Sequence, residues 1–185
     1  MSKIIQGDVN LKKLYLIKLP DILKDVSVGG DFSCSNNRLT SLSGAPQHVG
    51  GHFYFYSNSL TSLSGAPKRV RGYFACNFNK LTSLSGAPQH VGGDFNCYSN
   101  SLTSLSGAPQ HVGGDFNCSF NNLKSLSGAP QHVDGHFYCD FNELESLSGA
   151  PQHVGGDFYC NNNAVKFTEA QVRAVCYVKG KVYVG

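Results

Sequence analysis

Apolar residues recur along most of the chain at a fixed spacing of 21 residues. In the segment Leu102–Cys118, two leucines lie three positions apart, a valine follows, and a Phe and a Cys then lie two apart. The segment Leu81–Cys97 repeats it without a single change. Such self-similarity predicts a stack of equal coils, each burying its apolar side chains against the next. The full units begin at Leu39, Leu60, Leu81, Leu102, Leu123 and Leu144.

The Phe-x-Cys pair predicts a short strand in every unit. On an extended chain Phe116 and Cys118 point to one face and Asn117 points to the other. Coils stacked about 4.8 Å apart would join these strands into a parallel sheet. An asparagine follows each Cys position by three residues, and its amide can satisfy backbone groups where the chain turns. This internal ladder comprises Asn37, Asn58, Asn79, Asn100, Asn121, Asn142 and Asn163.

The Gly-Ala-Pro and Gly-Gly segments predict the other corners of each coil. Glycine permits a positive φ, and proline fixes φ without needing a hydrogen-bond acceptor for an N–H. No segment within a unit has the length or periodicity of a full helix. We therefore expect turns, extended chain or a short 3₁₀ segment on the convex side.

The recurring frame resembles that of the leucine-rich repeat family. Phe116-x-Cys118-x-x-Asn121-x-Leu123-x-x-Leu126 has the form LxLxxNxLxxL, with Phe and Cys where leucines usually lie. The resemblance covers about 28–165 and is similar to the short repeats of bacterial effector proteins and tailed-phage repeat proteins. It implies a mainly β solenoid, a right-handed coil with a parallel sheet on one face. Sheets of this kind usually bind other proteins.

The regular units predict one domain with three parts. Residues 1–27 break the repeat and are expected to form an N-terminal cap, and residues 28–165 form a seven-coil solenoid. Residues 166–185 are expected to form a C-terminal cap, because Thr168 and Gln171 have capping-box spacing and predict a short helix through about Cys176. The segment Tyr177–Val184 then predicts a tight hairpin or an edge strand.

Composition narrows the class of partner. The formal net charge of +3 disfavours a general nucleic-acid or acidic-membrane partner. No apolar run approaches the length of a membrane span, and no secretion signal is visible, so a cytoplasmic protein is expected. Six of the seven cysteines occupy one repeat position, which Phe55 takes in another unit. This favours small, reduced core residues over a disulfide framework.

The outward strand positions vary while the apolar positions stay fixed, so recognition is expected on this face. Tyrosine beside small polar groups suits protein contacts, although the strand propensity of tyrosine alone is an alternative explanation. The hypothesis that a phage-encoded chain blocks a host defence enzyme or toxin follows from the resemblance. The candidate partner-binding residues are His52, Tyr54, Tyr56, Tyr73, Asp94, Tyr98, His136, Tyr138, Asp140 and Tyr159.

Three further sets of side chains leave alternatives open. Phe78, Phe120 and Phe141 either fold against the rim of the stack or form an exposed apolar patch. A row of histidines could titrate together or bind metal, but a structural surface role is favoured because stacking points them the same way. Lys68, Arg69 and Arg71 form a basic triplet that could contact an acidic partner. The histidine row comprises His48, His90, His111, His132 and His153.

No motif supports catalysis. The chain lacks a phosphate-binding glycine loop between a strand and a helix, an HExxH motif and a nucleophile elbow. We predict a non-enzymatic protein-binding repeat module with no cofactor and no metal. One alternative is a structural protein that self-assembles through its terminal segments. A nucleic-acid binder using tyrosine stacking and the basic triplet is a second alternative, which the small net charge disfavours.

Overall fold

The chain folds into a parallel β-solenoid with two sheets. The computed structural model describes residues 3–185, and each sheet has nine strands. The sheet that carries most of the recurrent tyrosines is called the aromatic sheet here, and the other is called the histidine sheet. The parallel solenoid is confirmed, but the sequence analysis predicts a single sheet. The histidine sheet arises because the central coils have the same length, so each extended His-Val pair meets its own copy in the next coil.

The histidine sheet consists of β1 (Lys3–Ile5), β3 (Val26–Val28), β5 (His48–Val49), β7 (Arg69–Val70), β9 (His90–Val91), β11 (His111–Val112), β13 (His132–Val133), β15 (His153–Val154) and β17 (Tyr177–Val178). The aromatic sheet consists of β2 (Val9–Asn10), β4 (Phe32–Ser33), β6 (Phe53–Tyr54), β8 (Phe74–Ala75), β10 (Phe95–Asn96), β12 (Phe116–Asn117), β14 (Phe137–Tyr138), β16 (Phe158–Tyr159) and β18 (Val182–Tyr183). A 3₁₀ helix covers Asp21–Leu23, and helix α1 covers Glu169–Val175.

Each coil buries its apolar side chains between the two sheets. Phe95 and Phe116, paired in register, stack with ring centroids 5.3 Å apart, and both are fully buried. The leucine and cysteine columns are buried beside them, which confirms the core positions read from the repeat. Burial raises the pKa of the Cys34 thiol to about 12, so this thiol stays neutral. The cysteines therefore serve as small core residues.

The asparagine ladder joins two neighbouring coils at each rung. Asn121 Oδ1 accepts a hydrogen bond from Leu102 N at 2.9 Å. Its Nδ2 donates to the carbonyl oxygens of Cys97, at 3.2 Å, and Cys118, at 3.0 Å. The predicted ladder is confirmed. Because these backbone groups lie at a turn between strands, the amide is the partner that allows them to be buried.

The two glycine segments have different roles. Gly128 has a φ of +89°, as predicted for the Gly-Ala-Pro corner, and the following Ala129 N donates to Leu126 O at 2.9 Å. The Gly-Gly segments were also predicted to need positive φ, and that prediction is wrong, since none of their residues has it. A Cβ on Gly50 would lie 2.2 Å from Gly29 O. The close approach of neighbouring coils favours glycine here, although Arg71 and Asp134 occupy the equivalent position in two coils.

Both ends of the chain contribute strands to both sheets. β1 pairs with β3 and β2 pairs with β4, so the N-terminal residues from Lys3 onward form a further coil. At the other end the predicted helix is confirmed, with a capping box between Thr168 and Gln171. The hairpin alternative for Tyr177–Val184 is wrong. β17 and β18 are edge strands of different sheets, each parallel to its neighbour.

Neither the 3₁₀ helix nor α1, in the part of the chain from residue 3 onward, has the length and apolarity needed to cross a membrane.

We predict that Asn121→Ala lowers the free energy of unfolding by about 3 kcal/mol, because it orphans a buried N–H and two buried carbonyls. Equilibrium urea unfolding measures this loss. Asn122→Ala is the matched control, since Asn122 is exposed and its side chain, within residues 3–185, bonds only to the Glu143 carboxylate at 3.3 Å. Equal losses in the two variants would contradict the role assigned to the ladder.

Candidate functional site

The aromatic sheet presents three outward columns of side chains, one on each side of the Phe column and one beyond the Cys column. The structure places all ten predicted site residues in these columns. Most of them are half-buried, and Tyr73 is the most exposed tyrosine of the set at 42%. They fall into two groups along the solenoid, separated by the coil that carries Asn117. The sheet brings residues far apart in sequence onto one continuous surface.

Side chains of the first column bind the backbone of the next coil. Asp31 Oδ1 accepts from His52 N at 2.7 Å, and His52 Nδ1 accepts from Tyr73 N at 2.8 Å. Asp94 Oδ1 accepts from Asp115 N at 2.9 Å. This explains why both Asp and His occur here, since both offer an acceptor at the same reach. The predicted site residues His52, Asp94 and His136 thus have a structural role that sequence reasoning missed.

One coil breaks this acceptor ladder. Tyr73 stands where the other coils have Asp or His, and within residues 3–185 the backbone N–H of Asp94 has no hydrogen-bond acceptor. The Tyr73 ring instead packs against the His52 imidazole with centroids 4.3 Å apart. This coil therefore lacks one backbone hydrogen bond of the ladder and presents an exposed aromatic ring at that position.

The N-terminal group surrounds a hollow in the sheet. Ala75 pairs with Tyr54 on one side and with Asn96 on the other, so its small side chain leaves a gap between larger neighbours. The gap has a volume of about 460 Å³. We call it the Ala75 hollow. Its lining includes the aromatic residues Tyr54, Tyr56, Tyr73, Phe78 and Tyr98.

The C-terminal group is a stack of tyrosines. Tyr138 and Tyr159 lie with centroids 4.6 Å apart and planes 11° apart. Tyr183 continues the stack at 4.4 Å and 3°. The sequence analysis missed Tyr183, because helix α1 lengthens the last coil and shifts this residue out of the 21-residue register. Asp140, in the third column, accepts a hydrogen bond from Ser119 Oγ at 2.7 Å.

The outward columns of the aromatic sheet, between its first and last coils, are acidic. Partial burial, followed by the charge of Asp157, raises the pKa of Tyr159 to about 12. Partial burial and then Asp115 raise the pKa of Tyr138 in the same way. The phenols therefore stay neutral and their hydroxyls remain donors. The columns from residue 31 to residue 161 hold no Lys or Arg, and their carboxylates are Asp31, Asp94, Asp115, Asp140 and Asp157.

Phe78, Phe120 and Phe141 form an exposed row beside the tyrosines, which answers the question the sequence left open. Phe120 and Phe141 stack with centroids 4.4 Å apart, and each of the three rings is 43–51% exposed. All three have φ between 51° and 55°. A bulky residue in this left-handed region is strained. Other coils place Asn or Ser there, for example Asn36 and Ser57.

The histidine row and the basic triplet lie along the histidine sheet, on a different sheet from the predicted site tyrosines. His111 Nε2 lies 3.0 Å from Asp134 Oδ2, and both side chains are exposed. Arg69 occupies the row between His48 and His90. The nucleic-acid alternative needs tyrosine stacking and the triplet on one surface, and the structure does not bring them together. From Lys3 to Gly185, no three His, Cys, Asp or Glu side chains are placed to share a metal ion.

These features define a leucine-rich-repeat-like β-solenoid with repeats of 21 residues. The chain is similar to the solved structure of a Shigella effector leucine-rich-repeat domain, with a TM-score of 0.70 and 21% sequence identity. The match covers 95% of this chain and 80% of that one. At this identity the likeness shows the fold. Neither the protein-family models nor the curated proteins give a match.

We predict that the acceptor, rather than the imidazole itself, matters for stability at the first column. His136 Nδ1 accepts from Asp157 N at 2.9 Å. His136→Leu removes the acceptor and should lower the free energy of unfolding by about 1–2 kcal/mol. His136→Asp restores the side chain of the neighbouring rungs and should change it by less than about 0.5 kcal/mol. Urea unfolding of both variants tests this, and equal losses would refute the ladder.

Proposed function

We propose that this chain is a non-enzymatic protein-binding module and that the aromatic sheet carries its partner site. The observation that carries the proposal is the concentration of tyrosines, with a row of strained and exposed phenylalanines, on one sheet face. Packing of the coils does not require these rings, because other coils carry Ser or Asn at the same positions. Bulky aromatic residues are characteristic of the energetically dominant positions in protein interfaces.

The sheet supports recognition because its backbone is already ordered before a partner binds. Tyr54 and Tyr159 lie on strands whose backbones are fixed by pairing on both sides. Little backbone entropy is lost when a partner docks on such a surface. The mode of action that fits a rigid open sheet is occlusion, in which the module covers a functional surface of its partner. We expect the module to act in the cytoplasm, where its cysteines stay reduced.

A finer hypothesis names the partner. The resemblance of the repeat to tailed-phage proteins suggests that the chain inhibits a host defence enzyme or toxin. That hypothesis rests on the sequence resemblance alone. Identification of the captured protein in the experiment below tests it directly.

Self-assembly is the second candidate, and a specific observation favours it. Leu14, Tyr15, Ile17 and Ile22 are 54–75% exposed near the N-terminal edge strands. Exposed apolar groups beside unpaired strand edges invite contact with another chain. Sedimentation at several protein concentrations separates this candidate from a monomeric binding module.

We predict that replacing the five tyrosines of the two groups with alanine abolishes partner capture from a bacterial lysate. Each true anchor should contribute about 2 kcal/mol or more to binding. Affinity capture followed by mass spectrometry measures the loss, and circular dichroism confirms the fold. The replaced residues are Tyr54, Tyr56, Tyr98, Tyr138 and Tyr159.

A matched control changes the other sheet. His48, His90, His111 and His132 are exposed in the histidine sheet, and their replacement by alanine should leave capture unchanged. Capture of the same protein by wild type and by the tyrosine variant would contradict the proposal. Loss of capture only in the histidine variant would move the site to the histidine sheet.

A further inference from the structure

One coil departs from the repeat at several outward positions, and these departures meet at the Ala75 hollow. Tyr73 replaces the Asp or His of the acceptor ladder, Ala75 replaces a larger side chain, and Phe78, one of three phenylalanines that take the left-handed position, lies beside them. Two of these changes work against stability, since one forfeits a backbone hydrogen bond and another strains the chain. Irregularities that weaken a fold and converge on one place are typical of functional sites.

The hollow combines aromatic walls with a single ionised group. Among residues 3–185, five aromatic rings line it and Asp94 is its only charged residue. Asp94 Oδ1 is bonded to the backbone of the next coil, whereas Oδ2 accepts no hydrogen bond from any group between residues 3 and 185. The volume of about 460 Å³ falls within the range of ligand pockets. Electron-rich ring faces beside a carboxylate attract an organic cation.

The same surface already holds a cation of its own chain. The Lys12 ammonium lies 5.8 Å from the centroid of the Tyr56 ring, and Tyr56 also lines the Ala75 hollow. Lys12 lines the adjoining depression, of about 320 Å³, together with Asp8 and Asp31. The hollow has the same chemistry, aromatic rings with a carboxylate, but no lysine or arginine of this chain lines it.

We propose that the Ala75 hollow binds an arginine side chain of the partner protein. The planar guanidinium can stack on tyrosine rings while it pairs with the free oxygen of Asp94. The acidic character of the sheet from residue 31 to residue 161 favours a partner with a basic contact surface. This inference rests on the proposed function, because it assigns the chemistry of the partner to that same sheet.

The test is a titration of the full ¹⁵N-labelled chain with acetyl-Gly-Arg-Gly-amide, followed by NMR. The peptide should cause saturable shifts of the backbone amides of Ala75, Asn77 and Asn96. The same peptide with citrulline, which is neutral and nearly isosteric with arginine, should cause none. Equal shifts with both peptides, or shifts spread evenly over all carboxylates of the sheet, would overturn the proposal.

Variants taken from the chain's own repeat make the test specific. Ala75→Asn copies the residue of the next two coils and raises the floor of the hollow between the tyrosine rings, so it should weaken peptide binding about tenfold or more. Asp94→Asn keeps the Oδ1 acceptor and removes the charge, and it should weaken binding about fivefold. Asp115→Asn makes the same change one coil further on, outside the hollow, and should alter binding less than about twofold. Equal effects of Asp94→Asn and Asp115→Asn would contradict the site.

Two further measurements distinguish a partner's arginine from a small-molecule cation, and the arginine site from the protein-binding function. Tighter binding of tetramethylammonium than of the arginine peptide would make the hollow a small-molecule site and overturn its assignment to a partner's arginine. Ala75→Asn and Asp94→Asn should also reduce capture of the lysate partner. One result would refute the arginine site alone: the tyrosine variant loses capture, the arginine peptide does not bind, and Ala75→Asn and Asp94→Asn leave capture unchanged. The protein-binding function would then still stand.

Discussion

Burial of the backbone at the coil turns is the constraint on which the rest of this solenoid depends. Each ladder asparagine bonds to backbone groups of two neighbouring coils at once, as Asn58 does with Leu39, Cys34 and Phe55. The contact is kept even across the longer N-terminal coil, where Asn37 Nδ2 donates to Leu11 O at 2.8 Å. The 21-residue unit of the central coils brings both the aromatic and the histidine segments into parallel register. Side chains outside this framework are free to vary.

The outward positions differ in how far the fold constrains them. Most outward positions still serve the fold, since Asp115 and His136 cap the backbone of the next coil. Tyr73, Ala75 and Phe78 do not, and they lie together at one hollow with a carboxylate. On the function proposed above, regular coils supply stability and preorganisation, and the coil that carries Tyr73 and Ala75 supplies the surface for a partner.

The repeat predicts the parallel stack, the asparagine ladder, the capped helix and the outward columns, because each follows from spacing alone. The second sheet was not predicted, since two-residue strands have no hydrophobic alternation of their own and exist only through pairing with their copies. The capping role of Asp94 and His52 was also hidden, because an outward column does not reveal whether an acceptor reaches the next coil. Ala75 was overlooked as a site residue because its contribution is the space it leaves.

The most direct measurement is the free energy of unfolding of a chain in which residues 60–80 are replaced by a copy of residues 81–101. The swap keeps the coil length and the asparagine, restores an aspartate at the ladder rung and removes the strained phenylalanine. If the side chains of coil 60–80 lower stability because they serve recognition, the swap should raise the free energy of unfolding by about 1–3 kcal/mol and abolish partner capture. A chain that becomes less stable, or that captures its partner as before, would contradict this account.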